Sequence, residues 1–255
     1  MEKTRIILSG ASGRLCSVIA RMCDGRDDCE VVCGVDVAAG GNSPFPIYTD
    51  FSEITEAADV IIDCSHHSVI GKIMDYAKAN NTAVVVCTTG HTDDEDDLIR
   101  KSGADIPVLK SRNMSLGINL LSELVKKAAA ALGEDFDIEI VEAHHNKKLD
   151  APSGTALMLA DAAAEVREES EYVYDRHSVR KQREKREIGF SSIRGGTIVG
   201  EHSVIFAGQD EVITLSHSAG SRDLFAQGAI RAALWLAVQG KGFYTMADVI
   251  TSSLG

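Results

Sequence analysis

Five short, almost uninterrupted apolar runs mark the first 110 residues and constrain the fold more than anything else in the chain. They are RIILS (5–9), VVCGVD (31–36), DVIIDC (59–64), AVVVC (83–87) and IPVL (106–109). Runs without polar alternation suit strands covered on both faces, as in a parallel sheet. Between them, VIGKIMDYAKAN (69–80) spaces its apolar residues at helical intervals. The segment HTDDEDDLIRKSG from His91 offers Thr92 as a helix cap, followed by a first turn crowded with carboxylates. That placement is favourable against the helix dipole, so the acidic run is read as structural and no metal site is expected. Strand, helix and strand repeated in this way predict a Rossmann-like, doubly wound α/β domain.

The pattern changes after Leu109. A long helix is expected over 115–133, a strand over 137–143 and a second helix over 153–169. FSSIR, TIVGEHSVIFAG and DEVITLSHS then follow without intervening helices, and their residues alternate in character. Alternation predicts an open or mixed sheet with one face packed on helices and the other available as an oligomer interface. The closing amphipathic segment, 222–238, is expected to return to the first domain. The organisation predicted is therefore a dinucleotide-binding domain (1–113), a C-terminal α+β substrate and oligomerisation domain (114–220) and a returning helix (221–255).

Composition removes several classes. Hydrophobic residues make up 44% and charged residues 25% of the chain, as in an ordinary globular protein. No run approaches the roughly 18 apolar residues of a membrane span, and the N-terminus lacks the features of a signal peptide. A net charge of −12 argues against nucleic acid as a partner. The six cysteines all lie within the first 87 residues without a C-x-x-C pair. Free thiols in a reducing cytoplasm account for this better than disulfides or zinc. One basic cluster, DRHSVRKQREKRE (175–187), is either a solvated loop or a patch that draws in anions.

Three loops follow predicted strands at the edge where ligands of open α/β sheets bind. GASGRLCS (10–17) is Gly-rich and opens a helix, so its backbone N–H groups can approach a pyrophosphate, although an ordinary tight turn would read similarly. The second strand ends at Asp36, whose carboxylate suits an adenosine ribose. Val37 and Ala38 supply no cation for a 2′-phosphate, which favours NADH over NADPH. CTTG (87–90) and SRNMSLGIN (111–119) complete the set, and a cofactor lying across the sheet edge would touch all three.

The densest concentration of reactive side chains is EAHHNKKLDAPSGTA (142–156). Lys147 and Lys148 beside His144 and His145 would repel a cation, which disfavours metal ligation. Ser153-Gly154-Thr155 opens a helix whose N–H groups can hold a carboxylate. Lys148 offers a compact positive charge and a proton, and histidine suits general acid work near neutrality. These residues describe a site for an anionic small molecule that takes up a proton. With a nicotinamide domain, the reaction class is addition of hydride and proton to a C=N or C=C bond.

The 142–156 segment closely resembles E-x-H-H-x-x-K-x-D-A-P-S-G-T-A of the 4-hydroxy-tetrahydrodipicolinate (dihydrodipicolinate) reductases of lysine biosynthesis. GASGRL is similar to that family's G-A-x-G-R-M loop, CTTG to its G-T-T-G and SRNMSLGIN to its A-x-N-x-S-x-G-V-N hinge. SSIRGGTIVGEHSVIFAG and HSAGSRDLFAQGAIRAALWL are similar to its C-terminal strand and return helix, so the resemblance spans nearly the whole chain. It implies that His144 and Lys148 are catalytic and that His145, Gly154 and Thr155 hold the substrate's carboxylates. It implies cofactor contacts from Gly10, Ala11, Ser12, Gly13, Arg14, Leu15, Asp36, Cys87, Thr88, Thr89, Ser111, Arg112, Asn113, Met114 and Arg222. It further implies NADH or NADPH as cofactor, a small dicarboxylate substrate, no metal and a homotetramer. Cys16 and Cys87 stand where the family pattern has glycine, and Arg112 where it commonly has a small residue. Two other readings are another small dicarboxylate or imine as substrate, and a dinucleotide sensor without catalysis. Closure of the two bodies over substrate is a further expectation.

Overall fold

A computed structural model of the chain describes residues 2–38, 43–167 and 169–252. The backbone divides into two compact units, one running to Ser115 and resuming at Asp223, the other formed by Leu116–Arg222. Both divisions fall two residues beyond the expected ones. Among the described residues no helix is long and apolar enough to cross a membrane.

The first unit contains seven parallel strands: β1 (Thr4–Ser9), β2 (Cys29–Val35), β3 (Ile47–Tyr48), β4 (Val60–Asp63), β5 (Ala83–Val86), β6 (Pro107–Lys110) and β12 (Gly242–Tyr244). Their order is β12-β6-β5-β4-β1-β2-β3, with the strand order reversing about β1. Such a reversal leaves a crevice outside the carboxyl ends of the strands. The continuous apolar runs have the expected cause, since Ile6, Ile7 and Leu8 are all fully buried although neighbouring side chains point to opposite faces. Each such side chain contributes about 1.5–3 kcal/mol through burial. On one face, Ile7, Ile61, Val84 and Val108 pack with Ile70, Ile73 and Met74 of α2 (Ile70–Asn80) and Ile99 of α3 (Asp93–Ser102). The other face carries α1 (Arg14–Cys23) and α6 (Asp223–Leu236). Gly228 lets α6 come close to the chain, because a Cβ there would lie 1.7 Å from the Met114 carbonyl oxygen. The last helix among the described residues is α7 (Met246–Thr251), and Thr92 caps α3 in a reciprocal box with Glu95. β3 and β12, only two and three residues long, were too short for their sequence pattern to reveal.

The second unit is a five-stranded mixed sheet, β11 (Val212–Ala219), β10 (Gly200–Ala207), β7 (Asp137–His144), β9 (Glu187–Arg194) and β8 (Glu171–Val173), in that order. Two helices, α4 (Leu116–Leu132) and α5 (Gly154–Ala164), cover one face. Leu121 and Val125 of α4 and Leu159 and Ala163 of α5 pack there against Ile138, Ile140, Ile188, Val204 and Phe206. The opposite face exposes Ile193 and Val212, at 52% and 62%. The helix expected through Glu169 ends at Ala164, where Arg167 turns back to donate to the carbonyls of Gly133 and Phe136.

The basic segment is a largely exposed loop, as one of its two readings has it, and ion pairs tie it to its own sheet. Arg176 bridges Glu139 and Glu187 at 2.6 Å each, and Lys181 reaches Glu187 at 3.1 Å. Arg183 binds Asp137 at 2.6 Å and donates to the Ile138 carbonyl at 3.0 Å. Arg176, Lys181 and Arg183 thus clasp carboxylates of the same unit's sheet.

Candidate active site

Register converts one face of the second sheet from core to site. Along β7, Ile138, Ile140, Glu142 and His144 point the same way, because alternate residues share a face. Ile138 and Ile140 face Phe206 and Val204 across β10 and sit beside Ile188 and Phe190 of β9. Two steps further, the same geometry sets Glu142 opposite His202 and beside Ser192, then His144 beside Arg194. Apolar packing at one end of the strand thus fixes a polar cluster at the other.

Glu142 is the hub of that cluster and is 1% exposed. Its Oε2 lies 2.6 Å from His144 Nδ1 and accepts from Arg194 Nη1 at 2.9 Å. Its Oε1 accepts from Arg194 Nη2 at 2.7 Å and from the Ser153 N–H at 3.3 Å. Burial alone would push this carboxyl up, but hydrogen bonds from Arg194, Ser192 and His144, with the guanidinium charge, bring it down to about 2. Arg194 Nη2 also donates to the Asp150 carbonyl at 2.7 Å, tying the sheet to the loop that carries Lys148. The Ala151–Pro152 peptide in this loop is cis.

Ser153 joins the cluster to the helix. Its hydroxyl caps α5 by accepting from Ala156 N–H at 3.2 Å and lies 3.0 Å from His202 Nε2. His202 is buried with its ring 5.1 Å from that of His144, and burial followed by the charge of His144 lowers its pKa to about 4. Gly154 and Thr155 form the first turn of α5. Such an end accommodates a carboxylate. Lys148 Nζ is held 2.9 Å from Asp150, and this contact with the lysine lowers the Asp150 pKa. Arg222, grouped with the cofactor residues on sequence, places Nη2 3.0 Å from His145 Nε2. Burial first, then the neighbouring Arg222, His144 and Lys148, lower the His145 pKa.

In the first unit the candidate cofactor residues lie on loops at the carboxyl ends of β1, β2, β5 and β6. Gly10 has φ +78°, and a Cβ there would stand 2.8 Å from the Cys64 carbonyl oxygen, so the turn requires glycine. Ala11 and Ser12 follow it, Gly13 N–H closes the turn onto Gly10 O at 2.9 Å, and Arg14 and Leu15 begin α1. Asp36 takes Ser12 N–H on Oδ2 at 2.8 Å and Val37 N–H on Oδ1 at 2.7 Å. The carboxylate therefore stands beside the glycine loop, where a ribose bound along it would find an acceptor. Glycine turn, helix N-terminus and adjacent acid fit a dinucleotide.

Thr88 ties the Cys87–Gly90 loop to the neighbouring one, donating to the Ser65 carbonyl at 3.4 Å, while Thr89 is exposed. Ser111 and Asn113 fold the third loop, with Asn113 Oδ1 accepting from Ser115 N–H at 2.8 Å. Arg112 lies between them and Met114 is buried beneath. Cys16 is fully buried, 3.5 Å from the Ser9 carbonyl oxygen, and its hydrogen bond with Cys64, then burial, raise its pKa. His66 caps the turn after β4, and His67 pairs with Glu95 at 2.9 Å. Sequence reasoning left Glu142, Arg194, Asp150 and His202 without roles. The first two were within reach through one signal, a buried-strand position occupied by an acid and a basic residue ending another strand of the same unit.

Fold and site together point to a class, the NAD(P)-dependent oxidoreductases. Comparison with known proteins narrows it. Residues 4–114 match the family model for the dihydrodipicolinate reductase N-terminus, and residues 117–250 match that for its C-terminus. The chain is similar to 4-hydroxy-tetrahydrodipicolinate reductase of Caldanaerobacter subterraneus subsp. tengcongensis, with 49% identity across 96% of this chain and 98% of that one. It is 43% identical to the enzyme of the same name from Zymomonas mobilis, covering 98% of both chains. Its fold matches a dipicolinate-bound dihydrodipicolinate reductase from Paenisporosarcina sp. TG-14 with a TM-score of 0.80, at 22% identity over 96% of this chain and 98% of that one. The chain belongs to the dihydrodipicolinate reductase family.

Proposed function

We propose that this chain carries out the NAD(P)H-dependent reduction of 4-hydroxy-tetrahydrodipicolinate to tetrahydrodipicolinate, with loss of water, in the diaminopimelate route to lysine. The observation that carries the reading is the Glu142-clamped His144 imidazole on the same unit as Lys148 and the Ser153-capped start of α5. Gly154 and Thr155 at that helix end, with His145, hold the substrate's carboxylates. His144 donates or accepts the proton at Nε2, and Lys148 supplies a second proton. A bound reduced nicotinamide supplies the hydride. The residues that would hold it are those of the glycine loop, Asp36, Cys87–Thr89 and Ser111–Met114.

Asp36 favours NADH, since a carboxylate at the ribose repels a 2′-phosphate and neither Val37 nor Ala38 offers a cation. The exposed face of the second sheet, with Val141, Ile193, Ile205 and Val212, supports assembly as a homotetramer. All six cysteines are unpaired thiols, which fits a reducing cytoplasm.

The test couples a synthase that generates the hydroxy-tetrahydrodipicolinate in situ and follows oxidation of NADH and NADPH separately. Turnover with NADH ahead of NADPH is expected. His144→Ala and Lys148→Ala should each lose about 10²–10⁴ in kcat, the range for a positioned proton donor. Both should keep their affinity for NADH. Full turnover by either variant would remove that residue from the chemistry.

A further inference from the structure

We infer that Glu142, clamped by Arg194, is a positioning residue that fixes the tautomer of His144, keeping the proton on Nδ1 and reserving Nε2 for the substrate. The inference deepens the proposed function and rests on it for the role of His144. A carboxylate only accepts hydrogen bonds. Glu142 Oε2 lies 2.6 Å from His144 Nδ1, so that nitrogen must carry the hydrogen. The guanidinium of Arg194, donating to both carboxylate oxygens at 2.9 and 2.7 Å, opposes proton uptake by Glu142 and fixes its plane. Ser153 N–H takes Oε1, so the carboxylate that orients the imidazole also anchors the residue capping the anion-binding helix. One buried acid therefore sets both the proton-bearing atom and the anion site.

The opposite ring nitrogen has its own constraint. A Cβ on Gly200 of β10 would stand 3.1 Å from His144 Nε2, so glycine there keeps the approach to this atom narrow yet open. The charged and titratable groups around the ring are Glu142 on its own strand, Arg194 on β9, and His202 on β10 with His217 behind it on β11. On the loop side stand Lys148 paired with Asp150, and His145 paired with Arg222. Within this set only Glu142 hydrogen-bonds the ring, and it does so at Nδ1, which fixes the ring's orientation and leaves Nε2 to the substrate. An acid hydrogen-bonded to a catalytic imidazole serves this purpose in general acid–base sites of unrelated folds.

The experiment is ¹⁵N NMR of the histidine-labelled full chain, with kcat of wild type, Glu142→Gln and Glu142→Asp. In the wild type at a pH where His144 is neutral, the proton is expected on Nδ1. Finding it on Nε2 overturns the inference without need of any variant. In Glu142→Gln, the Nε2–H form is expected to gain population and kcat to fall tenfold or more. The dissociation constant for NADH should stay within twofold. Glu142→Asp, which retains the charge, should recover part of both readouts. An unchanged kcat in Glu142→Gln overturns the inference, as does a loss of kcat with the tautomer unmoved. The tautomer measurement needs no substrate. If His144→Ala keeps full turnover, the proposed function loses its acid while the hold of Glu142 on the ring is still measured.

Discussion

The two units build their functional residues by opposite means. In the parallel-sheet unit, the candidate cofactor residues sit on loops beyond the strands, and much of what they offer is backbone: a positive-φ turn at Gly10 and a helix end at Gly13 and Arg14. In the mixed-sheet unit, His144 and Glu142 sit on β7 itself, on the face that two residues earlier is hydrophobic core. A backbone site tolerates changes of side chain provided the turn survives. A strand-borne site depends on each partner, because its side chains are buried and a missing hydrogen bond leaves a charge without compensation.

The most severe test of that contrast is Arg194→Ala. It removes both guanidinium bonds to Glu142 and the bond to the Asp150 carbonyl, leaving a buried carboxylate with neutral partners, Ser192 and the Ser153 N–H, and His144, but no guanidinium. Breaking a buried ion pair by deleting one partner costs about 3–5 kcal/mol. Chemical denaturation should show a loss of that order, with turnover falling as well because the Lys148 loop loses its tether. A loss below about 1 kcal/mol would mean that the cluster is wetter and more adaptable than its geometry indicates, and the contrast between the units would weaken.

Acid should reach the second unit's cluster next. His202 has a folded pKa of about 4, below its ordinary value near 6.5. The unfolded chain therefore binds the extra proton first, and stability is lost as pH falls from about 6.5 to 4, by at most roughly 3 kcal/mol at 1.36 kcal/mol per unit. Glu142 and Glu187 are both brought down to about 2, Glu187 chiefly by its Arg176 hydrogen bond. Their stabilisation is present above the unfolded carboxyl value and is lost as pH falls towards 2. Thermal melts across this range should show two descending segments. His202→Asn, which cannot titrate, should flatten the upper one and leave the lower; an unflattened upper segment would place the titrating group elsewhere.

The contrast also explains what the sequence displayed and what it hid. Ile6, Ile7 and Leu8 announce a strand covered on both faces, because no polar residue interrupts them. Ile47–Tyr48 and Gly242–Tyr244 are too short for any period to emerge, and only pairing with β2 and β6 makes them strands. His144, Lys148 and Ser153 stand out since they fall within a dozen residues. Glu142 belongs to the same stretch, yet its role depends on Arg194 and Ser153, and that of Ser153 on His202. Arg194 and His202 lie 52 and 60 positions beyond Glu142, and strand register alone brings them together. The basic run was ambiguous for the same reason, because its partners Asp137 and Glu139 lie some 40 residues earlier.

The smallest effects should come from the cysteines that stand where the family pattern has glycine. Cys16 is buried against the Ser9 carbonyl, within the first turn of α1 and away from the N–H groups that would face a pyrophosphate. Restoring glycine there removes packed sulfur and adds backbone freedom to a helix, which together cost about 1–2 kcal/mol of stability. It leaves the turn at Gly10 and Gly13 in place, so the dissociation constant for NADH should change by less than about threefold, or roughly 0.6 kcal/mol. Cys87→Gly should behave similarly, since Thr88 holds its loop through the Asp63 and Ser65 carbonyls. Fluorescence titration with NADH measures the affinity and thermal denaturation the stability. If affinity changes tenfold while stability holds, side chains govern the first unit's loops as they do the second unit's strand, and the division between backbone-built and side-chain-built halves fails.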